Sequence, residues 1–117
     1  PDLIQGVIAD SFTPEFTEDM LQHNVIEERA ARNEGQIAFW RFAHGEDWER
    51  VINADTKMLK KLTEKGGNWL GESLSSVECP ILFTASLEDD MLRKPGSYTL
   101  QMLSQASDGR AFLSKNG

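Results

Sequence analysis

VECPILFTASLEDDML, residues 77–92, is the stretch from which the fold is read. It opens on Cys79-Pro80, runs through Ile81, Leu82 and Phe83, shortens to Ala85-Ser86, and ends on Glu88, Asp89 and Asp90. A continuous apolar run of this length, bounded by Pro and by polar turn residues, predicts a strand buried on both faces. Pro80 suits the first strand position, where its missing N–H costs least. The carboxylates then fall just beyond the strand's C-terminal end. In an open parallel sheet that edge is where ligands and catalytic groups collect. A solvated acidic turn after a core strand is the plainer account, and the rest of the chain decides between the two.

Residues 3–9 (LIQGVIA) predict a second buried strand, which also ends on a polar pair, Asp10-Ser11. Thr13-Pro14-Glu15 reads as a helix start, with Thr as N-cap and Pro at the first helical position. That helix is expected to run to about Asn33 with Gly35 as its stop. Residues 36–43 (QIAFWRFA) gather Phe39, Trp40 and Phe42. Core packing accounts for such a cluster, and so does the wall or lid of a small-molecule pocket. Residues 46–65 carry the best helical pattern. Acids lie near its start and lysines near its end, and Trp48, Val51, Ile52, Met58, Leu59 and Leu62 fall on one face. Of these, Trp48, Ile52, Leu59 and Leu62 are expected to be buried. Gly66-Gly67 ends the helix, and a polar loop spans residues 68–76.

Past the acidic turn, Pro95-Gly96-Ser97 opens a helix to about Gln105, with Tyr98, Met102 and Leu103 inward. Residues 110–114 (RAFLS) form a third short strand. The order is strand, long helical insertion, strand, helix, strand. Helical crossovers between apolar strands imply an α/β fold with a partial parallel sheet of about three strands. The first connection, residues 13–76, far exceeds one helix and reads as an inserted helical subdomain.

The 117 residues suffice for one domain burying roughly 60–70% of its unfolded-chain surface. With 39% hydrophobic and 26% charged residues, the composition is that of an ordinary globular chain. A net charge of −7 argues against a nucleic-acid groove and against adsorption to anionic membrane. No apolar run has the length of a transmembrane span. The single Cys79 leaves no internal disulfide and no multi-cysteine metal site, and a lone strand cysteine is ordinarily a small buried hydrophobe. Without a basic n-region the chain is expected to be cytoplasmic. Without an initiator Met it reads as cut from a longer one.

This order of elements resembles the C-terminal part of an α/β-hydrolase-fold protein, from the sixth strand almost to the end of the eighth. The resemblance implies an incomplete α/β-hydrolase fold: residues 1–12 as a core strand, 13–76 as a helical cap, and 77–117 as strand, acid turn, helix and last strand. In that family the seventh strand commonly reads as Cys-Pro or a similar pair, an apolar run, and a Gly-x-x-Asp turn holding the triad acid. Here Cys79-Pro80 begins the run, Ser86 takes the Gly place, and Asp89 falls on the acid position. Asp90 stands where a Pro is frequent, so a one-residue shift makes it the alternative acid. Asp10 is another, because some members place the acid after the sixth strand.

The family's chain order is Ser, acid, His, and neither flanking member is in this chain. Gly71-Glu72-Ser73-Leu74-Ser75 lacks the second Gly of a G-x-S-x-G, and the chain ends before the Gly-His turn of the family. His23 and His44 match no base position. The resemblance thus implies the C-terminal fragment of a serine-type hydrolase acting on an ester, thioester, amide or activated carbon–carbon bond, itself inactive. Asp89 would be the acid, and Phe39, Trp40 and Phe42 would line the pocket for an acyl substrate. No cofactor or metal is implied. A homo-oligomer through the exposed edge of the first strand is expected. The competing reading is a complete, non-enzymatic α/β binding module whose aromatic helix docks a partner.

Overall fold

In the computed structural model, which describes residues 3–92 and 94–116, eleven segments follow one another along the chain. Strand β1 is Val7–Asp10. A helical segment over 18–30 comprises α1 (Glu18–Met20), a π-helical stretch Leu21–Glu27, and α2 (Glu28–Ala30). Helix α3 is Glu34–His44, a 3₁₀ turn Gly45–Asp47 follows, and α4 is Trp48–Glu64. A second 3₁₀ turn, Ser73–Ser76, precedes β2 (Ile81–Ser86), α5 (Pro95–Gln105) and β3 (Gly109–Ser114). The chain start at Pro1-Asp2 and its last residue, Gly117, lie outside the described residues.

The sheet is parallel, in the order β1-β2-β3. This is the mixed α/β class, with the strands side by side in their order along the chain. Val7 registers with Ile81 and Asp10 with Thr84, while Ile81 registers with Gly109 and Ser86 with Ser114. Two compact units emerge: residues 1–15 with 69–117, which hold the sheet, and residues 16–68, which are helical.

In the sheet unit, Ile81 and Phe83 of β2 pack with Leu74 and Met102 into a core joined by Ala9, Val77 and Leu103. Phe83 and Met102 are almost fully enclosed. Alternation along β2 is strict: Ile81, Phe83 and Ala85 are buried, while Leu82 and Thr84 are not. This corrects the expectation of strands buried on both faces. Among the described elements, α5 packs on β2 and β3, and Leu74 of the Ser73–Ser76 turn joins the same core. The other face leaves Ile8, Leu82 and Phe112 exposed to solvent. An apolar run therefore marked a strand correctly but not its layers.

β1 begins at Val7 rather than at Leu3. Its first ladder bond runs from the Val7 N–H to the Pro80 carbonyl, next to the residue where β2 starts. Residues 3–6 lie before β2 has begun, so their apolarity finds no partner strand. Leu3 and Ile4 are exposed. Beyond β1, Ser11 turns the chain at φ 50°. Phe12 stacks on Trp69 at 5.8 Å, and the Trp69 indole donates to the Thr13 carbonyl at 2.8 Å. These contacts tie the exit from β1 to the segment leading back to the sheet.

In the helical unit the first helix starts at Thr17, whose hydroxyl accepts the Met20 N–H at 3.1 Å. The Thr13 hydroxyl donates to the Glu15 carbonyl instead, so Thr13-Pro14-Glu15 makes a turn and not a helix start. Gly35 does not stop a helix either, since it lies inside α3. Asn33 caps α3 through a reciprocal pair with Gln36: each side chain accepts the other's backbone N–H. Helix α4 buries Trp48, Ile52 and Leu59, as its spacing predicts. Leu62 is only half-buried and Met58 is exposed. Met58 lies about 100° round the helix from Leu59, outside the inward arc. Trp40 stacks on Trp48 at 5.5 Å and closes the core with Ile52.

α4 ends where two glycines take left-handed backbone. Gly66 has φ 99° and Gly67 φ 73°. The Gly67 N–H reaches the Leu62 carbonyl, and its own carbonyl accepts the Phe16 N–H at 2.8 Å. A Cβ on Gly67 would stand 2.0 Å from the Phe16 carbonyl oxygen, so only glycine fits this approach. No described helix is long and apolar enough to cross a membrane.

Candidate functional site

Parallel pairing brings the C-terminal ends of β1 and β2 to one edge of the sheet. Asp10 is the last residue of β1 and registers with Thr84, two residues before β2 ends. Asp89 follows three residues after Ser86. The sequence-predicted acids therefore gather at this edge, each held in a different way.

Asp89 is half-buried in a turn built from backbone bonds. Its N–H donates to the Ser86 carbonyl at 3.2 Å, and its Oδ1 accepts the Met91 N–H at 2.9 Å and the Leu92 N–H at 3.3 Å. A short carboxylate that satisfies amides two and three residues on is what an Asx turn requires. The Leu92 side chain is buried behind it. Ser86 supports the same turn, because its hydroxyl accepts the Glu88 N–H at 3.3 Å. The Leu87 N–H donates to the Ser114 carbonyl, which fixes the turn to the end of β3. Asp90 is exposed. Asp10 is exposed too, and its Oδ1 accepts the Thr84 hydroxyl at 2.6 Å.

These supports were partly visible in the sequence. Ser86 stood at the position of a turn glycine, and Asp is a residue type whose short carboxylate favours such a turn. Thr84 was not singled out. Its role comes from cross-strand register, which no single stretch displays.

Phe39, Trp40 and Phe42 do not form one wall. Trp40 turns into the helical core, whereas Phe39 is 65% exposed and Phe42 91% exposed. Phe39 and Trp40 share a hollow of about 370 Å³ with Asn24, Arg29 and Gln36. Arg29 in turn pairs with Asp55 at 2.8 Å and donates to the Thr56 hydroxyl at 2.6 Å. Cys79 is a free, half-buried thiol. It lines a hollow of about 710 Å³ at the opposite, N-terminal edge of the strands, with Ile4, Val7 and Val77.

The histidines lie in the helical unit, away from this turn in sequence. His23 Nε2 is 3.3 Å from Asp19 and its Nδ1 is 2.8 Å from Glu27. The Gln22 amide, and after it the His23 ring, hold the Glu27 carboxyl below the ordinary glutamate range. Arg50 does the same to Asp47 through its hydrogen bonds. His44 is the last residue of α3. Among the described residues no three His, Cys, Asp or Glu side chains cluster as a metal site would need.

Neither a family model nor a curated protein matches the sequence. A solved structure does match in three dimensions: the crystal structure of NosK from Streptomyces actuosus, with TM-score 0.68 and 19% sequence identity. The match covers 99% of this chain and 51% of the NosK chain, so the chain spans about half the length of that protein. A likeness at this identity is a likeness of fold.

Proposed function

We propose that the chain is the C-terminal portion of a serine-type α/β hydrolase and that Asp89 is its triad acid. In this reading the fold is an incomplete α/β-hydrolase fold and the helical unit is its cap. Of the three aromatic residues of α3, the exposed Phe39 and Phe42 serve an acyl substrate of the intact protein, while Trp40 holds the helical core behind them. The parent enzyme cleaves an ester, thioester, amide or activated carbon–carbon bond. The observation that carries the reading is the state of Asp89: a carboxylate fixed by two backbone N–H groups, just past the middle strand of a parallel sheet. A triad acid must hold one orientation, because its task is to fix the tautomer of a histidine and stabilise the imidazolium. Both backbone donors converge on Oδ1, so the histidine is assigned to Oδ2. The parallel order, the helical unit between β1 and β2, and a fold match spanning half of a longer chain support the same reading.

Ester turnover by the full-length protein is the test. Asp89→Asn should lower kcat by about 10⁴-fold, as loss of the correct tautomer does in serine proteases. Asp10→Asn and Asp90→Asn should be milder. If Asp89→Asn keeps nearly full kcat while Asp10→Asn loses it, the acid follows β1 and this assignment is wrong. The flanking gene sequence is a second check, because a G-x-S-x-G upstream and a Gly-His just downstream are required. The 117-residue chain by itself should be inert toward esters.

The exposed Phe39 and Phe42 on α3 favour a second reading, a non-enzymatic binding module that docks a partner through that helix. A gene lacking both flanking motifs would select it. Under either reading, β1 pairs only with β2 among the described residues. An apolar strand edge of this kind is a template for association, so self-association of the isolated chain is expected. A strictly monomeric chain in light scattering at high concentration counts against it.

A further inference from the structure

The C-terminal half of α4 inverts the charge of the molecule. In a chain of net charge −7, Lys57, Lys60, Lys61 and Lys65 stand within nine residues against one acid, Glu64. All four are exposed. The arginines nearby are committed: Arg29 pairs with Asp55, Arg32 with Glu49, and Arg50 with Asp47. Among the described residues the four lysines make no ion pair. Lysines here complement the helix dipole, but that accounts for charge at the helix end and not for the apolar strip beside it. Ala54, Met58 and Leu62 follow one another at four-residue spacing, with Met58 49% exposed. With Lys57, Lys61 and Lys65 they line a hollow of about 590 Å³ along the helix.

We propose that this strip is a docking surface for an acidic amphipathic helix of a partner protein. Two periodicities match. Lys57, Lys61 and Lys65 repeat about every 6 Å along the axis, the spacing of carboxylates at i, i+4 and i+8 of a second helix. The apolar strip parallel to them receives that helix's apolar edge, the usual way one helix seats on another surface. Methionine suits such a contact because its unbranched, polarizable side chain adapts to the shape of its partner. A membrane surface fits less well, since the strip offers no aromatic anchor and the chain as a whole is repelled by anionic lipid. Single-stranded nucleic acid would want an aromatic stacking platform, which the strip also lacks. This inference stands apart from the hydrolase reading and uses none of its residues.

The test uses the full chain and a fluorescent synthetic peptide, stapled to stay helical, with Leu and Glu stripes at four-residue spacing. Anisotropy should show saturable binding that weakens as salt rises, because exposed charges attract through a screened field. The double variant Lys57→Glu/Lys61→Glu should weaken it at least about tenfold, and Lys61→Arg should retain it. Met58→Ser, which leaves every charge in place, should also weaken it. Circular dichroism of each variant checks that α4 persists, and Met58→Ser decides the matter if the double variant loses helix. Absence of binding overturns the proposal. So does equal binding of a scrambled peptide or of polyglutamate, which would make the strip a charge sink only. Binding to vesicles rich in phosphatidylserine but not to the peptide would put a membrane in the partner's place and overturn it as well.

Discussion

The Thr84 hydroxyl donates to Asp10 Oδ1 over 2.6 Å, joining β1 to β2 at the last register pair the two strands share. The bond makes Asp10 a strand-end clasp. Thr84→Val keeps the β-branched shape and removes only the donor. It should cost about 0.5–1.5 kcal/mol in urea unfolding, the net worth of one hydrogen bond. No measurable loss would mean that water serves Asp10 equally well.

Asp89 has two separable duties, and two substitutions divide them. Asp89→Asn keeps an oxygen for the Met91 and Leu92 amides and should leave stability within about 0.5 kcal/mol. Asp89→Ala removes that acceptor and should cost about 1–2 kcal/mol, as loss of a comparable local cap does. Equal stabilities for the two variants in chemical denaturation would show that the turn does not need the carboxyl oxygen.

Leu59 and Met58 are sequence neighbours with opposite surroundings. Leu59→Ala removes a side chain 7% exposed and should cost about 2–5 kcal/mol. Met58→Ala should stay within about 0.5 kcal/mol, the usual range for surface positions. Thermal and urea unfolding of both variants check the assignment of the inward face of α4, and reversal of the two values would refute it.

Gly66 and Gly67 share a left-handed backbone but not the space around it. A Cβ at Gly66 meets nothing within 4 Å, whereas one at Gly67 runs into the Phe16 carbonyl. Gly66→Ala should therefore cost about 1–2 kcal/mol of backbone strain. Gly67→Ala should cost clearly more, about 3 kcal/mol or above, because backbone must also shift. Unfolding midpoints of the two variants should differ in that order. Similar values would place the close approach elsewhere.

What could be read from the sequence followed how local its cause was. Ile81-Leu82-Phe83 after Pro80 marked β2, and the spacing of Trp48, Ile52 and Leu59 marked α4, because both patterns lie within a few turns of chain. Asn33 and Gln36 spelled out the start of α3 just as locally, yet Gly35 between them drew the reading toward a stop. Thr13 and Thr17 both resemble caps, and only the turn that Thr13 closes with Glu15 tells them apart. The start of β1 and the bare face of the sheet depend on where distant chain lies, which apolarity at Leu3, Ile8 or Phe112 does not encode. At the candidate site, Asp89 could be placed from its position after the strand. The clasp between Asp10 and Thr84 could not, because it spans 74 residues.

That span also orders events during synthesis. β1 leaves the ribosome long before β2, and the whole helical unit, residues 16–68, emerges between them. Contacts within that unit are closer in sequence than the pairing of β1 with β2, so the helices can be complete while the first strand is still waiting. Closing so long a loop adds little to the equilibrium cost, which grows only with the logarithm of its length. The effect falls on time, because non-local pairing is slow. Until Ile81–Ser86 has been made, Val7 and Ile8 lack the partner that β2 gives them in the finished sheet. It is in that interval, more than in the finished fold, that a chaperone would have something to hold.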